Sequence, residues 1–265
     1  MKLESRNWHE EVAKVVSAED TPQFPSVLVS ALRCVVPFDF SVFFVYQGQF
    51  RPICVYDTFT PKQRIVFVED YQEGPYLLDP FYKCCADEVK PGLYRLREIA
   101  PDRFYHSEYY RSYYRRTGLA EEIGFLVALD RAMMLVISLM RAGTSAPFSD
   151  RDFRKLLKVE PLIHATAARH WKNPEYLRDH HKIRKADGIV PESPVTTALE
   201  KFGDGILTTR EGEVVRMVLR GHSSESIGRQ FSISTGTVKI HRRNIYAKLG
   251  VSSQSELFSL FISGL

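Results

Sequence analysis

The last 60 residues constrain the fold most strongly, because helix-capping residues divide them into four short segments with apolar stripes. Thr208 stands three residues before Glu211, the spacing of a capping box that satisfies two free backbone amides at a helix start. Gly221 and Gly250 stand where left-handed residues would end the first and third helices. Residues 206–265 are therefore predicted to form an all-α domain of four short helices.

The third segment of this domain has an apolar side and a basic side. Val238, Ile245 and Leu249 are expected to face inward. The net positive charge of the chain is also concentrated in this domain. Residues 206–265 hold eight Lys and Arg against four Glu, whereas residues 1–205 hold 28 basic and 28 acidic residues. A short helix, a tight turn and a second helix with a basic outer face have the geometry of a helix-turn-helix that enters the major groove of DNA.

Specific residues of this domain resemble the LuxR-type DNA-binding domain. The matching positions are Leu207-Thr208, Arg210-Glu211, Glu213-Val214, Gly221, Ile227, Ser234, Thr237-Val238-Lys239, His241, Asn244-Ile245-Tyr246 and Lys248-Leu249-Gly250. The resemblance implies a protein that binds double-stranded DNA as a homodimer on a two-fold symmetric operator, with the last helix pairing across the axis. RNA polymerase is a further candidate partner.

The same resemblance assigns roles to individual side chains of the third helix. It places Lys239, Ile240 and Arg243 at base edges. It places Ser234, Thr237 and His241 near phosphates and Arg242 at the DNA backbone, and Lys248 of the same basic face completes the set of DNA-binding candidates. The alternative is that this face is only a solvated helix surface.

Residues 1–172 follow a different pattern, in which two predicted hairpins alternate with helical spacing. The predicted strands cover 38–46, 50–59, 122–129 and 133–140, with turns at 47–49 and 130–131. Helical patterns cover 8–16, 24–35, 61–71, 76–85, 105–116 and 150–171, whereas 92–99 is ambiguous. This order predicts an α/β/α sandwich on one antiparallel sheet, so the whole chain is of the α+β class.

Residues 173–205 have the composition of a linker. Pro174, Pro191 and Pro194 interrupt a polar stretch that includes a charged run over 178–185, with room for one short helix. We therefore expect a sensor and dimerisation domain over 1–172, a linker over 173–205 and the helix-turn-helix over 206–265. The chain has no stretch of membrane-spanning length and no apolar signal core in residues 1–6, which predicts a cytoplasmic protein without a membrane partner.

The N-terminal half resembles one type of input domain and lacks the motifs of two others. A receiver domain would place an acidic pair after its first strand, and an ATPase would carry a phosphate-binding loop; neither occurs. Phe67, Tyr71 and Asp79-Pro80 instead resemble the fingerprint of the acyl-homoserine-lactone binding domain: a Trp, a Tyr four positions later, and Asp-Pro about nine positions after the Tyr. Phe67 lacks the indole N–H that would hold a lactone carbonyl, and the Tyr71 to Asp79 interval is one residue shorter.

A buried Asp79 beside aromatic walls could accept an amide, amine or hydroxyl donor while the rings pack on apolar or cationic groups. The expected ligand is therefore an unidentified small molecule other than a standard acyl-homoserine lactone. Its candidate binding residues are Tyr46, Tyr56, Phe67, Tyr71, Tyr76, Asp79, Tyr82 and Tyr94. The alternatives are a tyrosine-rich core and an ordinary cap or turn role for Asp79. A second group, Tyr105, Tyr109, Tyr110, Tyr113 and Tyr114, is expected largely on a solvated or dimer face.

The cysteines give little support for catalysis or metal binding. Cys34, Cys54, Cys84 and Cys85 lack metal-ligand spacing and are expected as reduced thiols, so neither a metal nor a cofactor is predicted. Oxidant sensing by Cys84-Cys85 is a minor alternative, and an enzyme using Asp79, His106 and Cys84 or Cys85 is a remote one.

The sequence predicts a transcription factor similar to quorum-sensing regulators. Its main rival is a ligand-independent regulator of the same type, whose N-terminal domain serves dimerisation or protein-partner binding.

Overall fold

One antiparallel sheet organises the N-terminal half of the chain. The computed structural model describes residues 6–48, 50–129, 133–178 and 194–264. Within these ranges the sheet has the strand order β2-β1-β5-β4-β3, with β1 (Phe40–Gln47), β2 (Ile53–Asp57), β3 (Gly92–Arg95), β4 (Leu119–Ala128) and β5 (Met133–Ala142). Both predicted hairpins are present, and β1 pairs with β5 to join them. Gln49 and the 130–131 turn lie outside the described residues.

Three long helices cover one face of the sheet: α1 (Arg6–Ser17), α2 (Phe24–Val35) and α7 (Asp150–Trp171). Their apolar stripes pack on alternate strand residues such as Phe43, Phe125 and Ile137. Ser149 caps α7 through a capping box with Asp152, as its position before the apolar pattern predicts. This layer forms one of two hydrophobic cores.

Short helices cover the opposite face of the sheet and build the second core. They are α3 (Pro61–Arg64), which continues into a π-helical turn (Ile65–Asp70), a 3-10 turn (Pro75–Leu78), α4 (Pro80–Ala86) and α5 (Leu96–Ile99), which follows β3 directly. The predicted α/β/α sandwich is confirmed. The sheet is buried on both faces, so neighbouring residues of a central strand contribute to different cores.

The predicted helix over 105–116 is wrong as a single element. The chain forms three short turns instead: Phe104–His106, α6 (Glu108–Ser112) and Tyr114–Thr117. Ser107 starts α6 by accepting the Tyr110 amide at 3.1 Å, and left-handed Gly118 ends the last turn. Because of these breaks, several tyrosines of the segment point into the core. A single regular helix would leave one of its faces exposed.

The C-terminal helices match the predicted four-helix domain. After α8 (Glu175–Arg178) and α9 (Pro194–Lys201) come α10 (Thr209–Leu219), α11 (Ser224–Phe231), α12 (Thr235–Leu249) and α13 (Gln254–Ser263). Thr208 forms the expected capping box, and Ser223, Ser234 and Ser253 cap the following helices. Residues 179–193 lie outside the described residues, and the described parts of 173–205 hold two short helices where one was expected.

The C-terminal helices pack directly against the second helical layer. Gly221 O accepts the Arg103 amide at 3.1 Å, and Asp102 Oδ1 accepts the Ser223 amide at 3.0 Å. A Cβ at Gly221 would lie 3.1 Å from Phe104 Cα, and α13 contacts α6. One apolar cluster therefore runs from the sheet into the C-terminal domain. None of the helices in the described ranges is long and apolar enough to cross a membrane.

Candidate ligand pocket and nucleic-acid interface

A small cavity lies between the sheet and the layer of short helices. Its open volume is about 30 Å³, and a water-sized group needs about 10–15 Å³ of such space. The lining residues are Val42, Phe44, Tyr46, Phe67, Tyr71, Asp79, Phe81, Tyr109, Tyr113, Tyr114, Thr117, Leu119, Glu122, Ser138 and Met140. The cavity thus combines aromatic walls with two acidic side chains.

Asp79 reaches the cavity because it is the N-cap of α4. Its Oδ1 accepts the Phe81 amide at 2.6 Å, and Pro80 occupies the first helical position, where its missing N–H costs nothing. The other oxygen, Oδ2, accepts the Tyr109 hydroxyl at 3.4 Å. Burial raises the pKa of Asp79, although the Phe81 amide and the Tyr71 and Tyr109 hydroxyls act against the shift. Asp79 therefore caps α4 and also lines the cavity, two roles that were expected as alternatives.

Glu122 is a second buried acid that sequence reasoning missed. It lies on β4, and its Oε2 accepts the Tyr114 hydroxyl at 3.4 Å. Burial raises its pKa, and the negative charge of Asp79 raises it further. The sequence did carry one signal for this residue, because Glu122 is an acid in a strand whose two faces are otherwise apolar. Gly124 and Leu126 lie on the same face of the strand as Glu122.

Gly124 allows the wall of the cavity to approach the sheet. A Cβ at this position would lie 2.5 Å from Phe81 Cε1. Because no side chain is present, the Phe81 ring lies directly against β4, next to Glu122 along the strand. The glycine therefore helps to determine the shape of the pocket.

The tyrosine hydroxyls of the cavity are neutral hydrogen-bonding groups. The Tyr46 and Tyr71 hydroxyls lie 2.7 Å apart, and the Tyr113 hydroxyl donates to the Val66 carbonyl at 2.7 Å. Burial, followed by the charge of Asp79, raises the pKa of Tyr46, Tyr71, Tyr109 and Tyr113 above the ordinary value. They can donate to a ligand or to the two acids without adding negative charge.

Four of the eight ligand candidates line this cavity: Tyr46, Phe67, Tyr71 and Asp79. The other four candidates do not line this cavity. Tyr56 packs on Phe43 at 5.2 Å on the opposite face of the sheet, and the Tyr94 hydroxyl donates to the Lys90 carbonyl. Tyr76 and Tyr82 contact each other edge-on at 5.2 Å and support the wall from outside the cavity. Residue type alone did not distinguish lining from supporting rings.

The expected exposure of the second tyrosine group is wrong for three of its members. Tyr109, Tyr113 and Tyr114 are buried and line the cavity, whereas Tyr105 is 46% exposed and Tyr110 is half-buried. The breaks between the short turns explain the difference. Tyr109 and Tyr113 stack with ring centroids 5.6 Å apart beside Asp79.

The outer face of α12 presents the residues expected at base edges. Lys239 and Arg243 are exposed, and Ile240 is 51% exposed. Ser234 caps the helix by accepting the Thr237 amide at 3.0 Å, so both hydroxyls lie at the start of α12. His241 is half-buried on the same helix. Such a helix start suits a phosphate, and the exposed basic residues suit a groove.

Arg242 and Lys248 are directed at partners within the domain, in contrast to the expected DNA-facing positions. The Arg242 guanidinium donates to Ser224 Oγ at 3.4 Å and to Gln254 Oε1 at 3.3 Å. Lys248 Nζ donates to Glu211 Oε2 at 2.6 Å and, together with the Thr208 amide, lowers the pKa of Glu211 to about 2. In this structure these two cations tie helices of the domain together.

The residues of the enzyme alternative are not assembled for catalysis. Burial raises the pKa of Cys84 to about 11 and also raises that of Cys85, so both thiols stay protonated. His106 is exposed and does not line the Asp79 cavity. Among the described residues, no group of three His, Cys, Asp or Glu side chains could hold a metal ion.

Known proteins resemble both halves of the chain. The family model for bacterial regulatory proteins of the luxR family matches residues 205–261. A protein of Aeromonas salmonicida, named as an HTH-type transcriptional regulator in the exeN 3' region, is 30% identical over 187 residues, or 71% of this chain and 94% of that protein. The monoamine regulon transcriptional regulator of Klebsiella aerogenes is 28% identical over 193 residues, or 72% of this chain and 70% of that protein. The LBD domain of VqsR from Pseudomonas aeruginosa has the same fold, with a TM-score of 0.56 and 24% identity over 63% of this chain and 96% of that domain.

Proposed function

The chain belongs to the luxR family of bacterial regulatory proteins, and we propose that a small molecule in the Asp79 cavity sets the affinity of its helix-turn-helix for DNA. The observation that carries the proposal is the position of α6, which supplies Tyr109 to the cavity and contacts α13 of the DNA-binding half. The relatives are named transcriptional regulators, which points to control of transcription rather than catalysis.

The proposed organisation assigns one task to each part of the chain. Residues 1–172 form the sensor and dimerisation domain, 173–205 the connection, and 206–265 the DNA-binding domain. The protein acts in the cytoplasm as a homodimer, because two half-sites of a symmetric operator combine two modest affinities into a specific one. Leu260 on α13 is 39% exposed and offers an apolar contact for the second copy.

DNA recognition is assigned to the outer face of α12. Lys239 and Arg243 donate to base edges in the major groove, and Ile240 between them contacts apolar base groups such as thymine methyls. Ser234 and Thr237 at the helix start, and His241 farther along α12, bind phosphates. Phosphate contacts make the affinity fall steeply with salt.

The route from ligand to DNA runs through the turns that follow α5. Phe104 packs on Tyr109 with ring centroids 5.8 Å apart, and its backbone lies against Gly221 of the DNA-binding half. A ligand that moves Tyr109 changes this contact and the neighbouring contact of α6 with α13. The ligand shifts the equilibrium between domain arrangements only to the extent that it binds one arrangement more tightly than the other.

One observation favours the ligand-independent alternative. The open volume of about 30 Å³ is small, because tyrosine rings fill most of the cavity. In this alternative the N-terminal domain serves dimerisation or binds a protein partner, and the rings are structural. The two functions differ in whether any small molecule changes DNA affinity.

The test uses the purified full chain and genomic fragments that it selects. We expect a fraction of a small-molecule extract of the host cells to change the DNA dissociation constant by about 5-fold or more, the usual scale of allosteric coupling. Asp79→Asn, which keeps a good N-cap, should lose that response but keep its DNA affinity. The exposed Glu69→Gln variant is the control and should respond as the wild type does. A response that survives in Asp79→Asn would contradict the Asp79 cavity as the ligand site. No response with any fraction would favour the ligand-independent alternative.

A further inference from the structure

The Asp79 cavity holds two acidic side chains but, among its described lining residues, no basic one. Asp79 and Glu122 are 9% and 5% exposed, and a buried carboxylate without a compensating charge is costly. Resting on the function proposed above, we propose that the ligand is a small organic cation, a primary or methylated amine, whose charged nitrogen lies between Asp79 and Glu122.

Side-chain hydroxyls hydrogen-bond to both carboxyl groups: Tyr71 and Tyr109 at Asp79, and Tyr114 and Ser138 at Glu122. The Tyr109 hydroxyl is 3.4 Å from Asp79 Oδ2, and the Tyr114 hydroxyl is 3.4 Å from Glu122 Oε2. Hydroxyl hydrogen bonds to oxygen are normally about 2.7–2.8 Å long. Two carboxylates provide about eight acceptor sites, so several remain for the N–H groups of an ammonium ion.

The aromatic walls select for positive charge as well as for apolar surface. Tyr71, Tyr109 and Tyr113 lie around Asp79, and their ring faces attract a cation within about 6 Å. Burial raises the pKa of each of these hydroxyls, so the rings stay neutral. Burial also raises the pKa of Asp79 to about 6 and that of Glu122 to about 8, and a bound cation would favour the ionised form of both acids. The site is therefore an aromatic cage with two acids.

A neutral ligand satisfies this arrangement less well. An amide or alcohol donor could bind one carboxyl, but both acids would then have to be protonated to avoid an uncompensated buried charge. A divalent metal ion needs more oxygen ligands than two carboxyl side chains supply, and the described residues show no group suited to one. The 30 Å³ of open volume suits a compact ammonium head group, whereas a long acyl chain would have to displace several rings.

The experiment measures binding of matched cationic and neutral probes to the full chain. The probes are methylamine, ethanolamine and n-propylamine, each with the alcohol in which a hydroxyl replaces the amine, and calcium chloride as a metal control. We expect at least one amine to raise Tm and to give a binding isotherm by calorimetry. Its matching alcohol and calcium should produce no shift.

Variants separate the charge effect from general damage to the fold. Glu122→Gln and Asp79→Asn should each weaken binding of the active amine by about 10- to 100-fold, the effect of one charge-assisted hydrogen bond. Glu69→Gln removes an exposed acid outside the cavity and should bind as the wild type does. Circular dichroism melts of all three variants establish that they are folded.

The proposal is overturned if no amine shifts Tm, if an alcohol shifts it as much as its amine, or if Glu122→Gln retains wild-type affinity. DNA affinity measured on the same samples keeps this result separate from the proposed function. An amine that binds without changing DNA affinity supports the cation site and contradicts ligand control. A neutral compound that changes DNA affinity while amines do not bind contradicts the cation site and supports ligand control.

Discussion

At the residue scale, the two candidate sites differ in how far the sequence revealed their key side chains. Asp79 could be predicted through the resemblance of Phe67, Tyr71 and Asp79-Pro80 to an input-domain fingerprint, and its cap role follows a local pattern, Asp before Pro. Glu122 could not be paired with it, because the contact depends on the register between β4 and β5 and on Phe81 lying against Gly124. Long-range packing, rather than local propensity, decides which tyrosines line the cavity.

The ion pair between Glu211 and Lys248 was also not expected from local pattern. Glu211 was predicted as part of a capping box, which is correct, whereas Lys248 was assigned to the DNA-facing surface. The pair joins the start of α10 to the end of α12, 37 positions apart in sequence. A basic residue on a helix can therefore serve the fold instead of the nucleic acid.

Glu211→Gln should reveal this pair through the pH dependence of stability. The pKa of Glu211 is lowered from 4.5 to about 2, so its contribution to the free energy of unfolding is present above pH 4.5 and is lost as pH falls towards 2. The variant should be about 1 kcal/mol less stable at pH 7, and the difference should shrink below pH 4.5. Urea unfolding at a series of pH values measures it.

Glu213→Gln is the matched control, because Glu213 forms an exposed pair with Arg210 at 2.8 Å. Exposed pairs contribute about 0–1 kcal/mol. If the free energy of unfolding of Glu211→Gln differed from that of the wild type by the same amount at pH 2 and pH 7, the stabilising role of the Glu211–Lys248 pair would be disproved.

At the element scale, helix starts and strand positions followed from the sequence, whereas the layer of short turns did not. Thr208, Ser223 and Ser234 are caps that act over two or three residues, so they can be recognised locally. The 104–117 segment has helical spacing of its tyrosines, yet Ser107 and tertiary packing break it into three turns. The turn between α10 and α11 has a further role, because Gly221 contacts the Phe104 backbone.

Gly221→Ala should loosen α6 from the DNA-binding half. The residue has φ of +95°, and the added Cβ would lie 3.1 Å from Phe104 Cα and Ser107 Cβ. Backbone atoms cannot give way as a flexible side chain can, so the two halves should separate slightly. We expect faster amide hydrogen exchange in Glu108–Ser112, measured by mass spectrometry of the full chain.

Gly250→Ala separates backbone strain from the contact between the halves. Gly250 also has positive φ, +66°, but nothing lies within 4 Å of its added Cβ. Gly221→Ala and Gly250→Ala should each lower the free energy of unfolding by about 1–2 kcal/mol, because alanine is strained in a left-handed conformation. Exchange in α6 should be unchanged in Gly250→Ala; equal exchange in both variants would mean that the Gly221 contact does not hold the halves together.

At the scale of the whole molecule, the sequence indicated two domains but not their packing. The charge imbalance of residues 206–265 and the aromatic content of the first half separate the domains clearly. Their contact depends on individual backbone groups such as Gly221 O and the Ser223 amide, which no periodic pattern marks. In the proposed function, this contact carries the effect of the buried pocket to α12.

The affinity of the full chain for a duplex that it selects from genomic DNA tests the central claim most directly. Measured by fluorescence anisotropy over a range of salt, Lys239→Ala combined with Arg243→Ala should bind at least about 30-fold more weakly, because each base contact contributes about 1–3 kcal/mol. Lys14→Ala, an exposed change on α1, should bind as the wild type does. Unchanged affinity in the double variant would contradict recognition of DNA by α12.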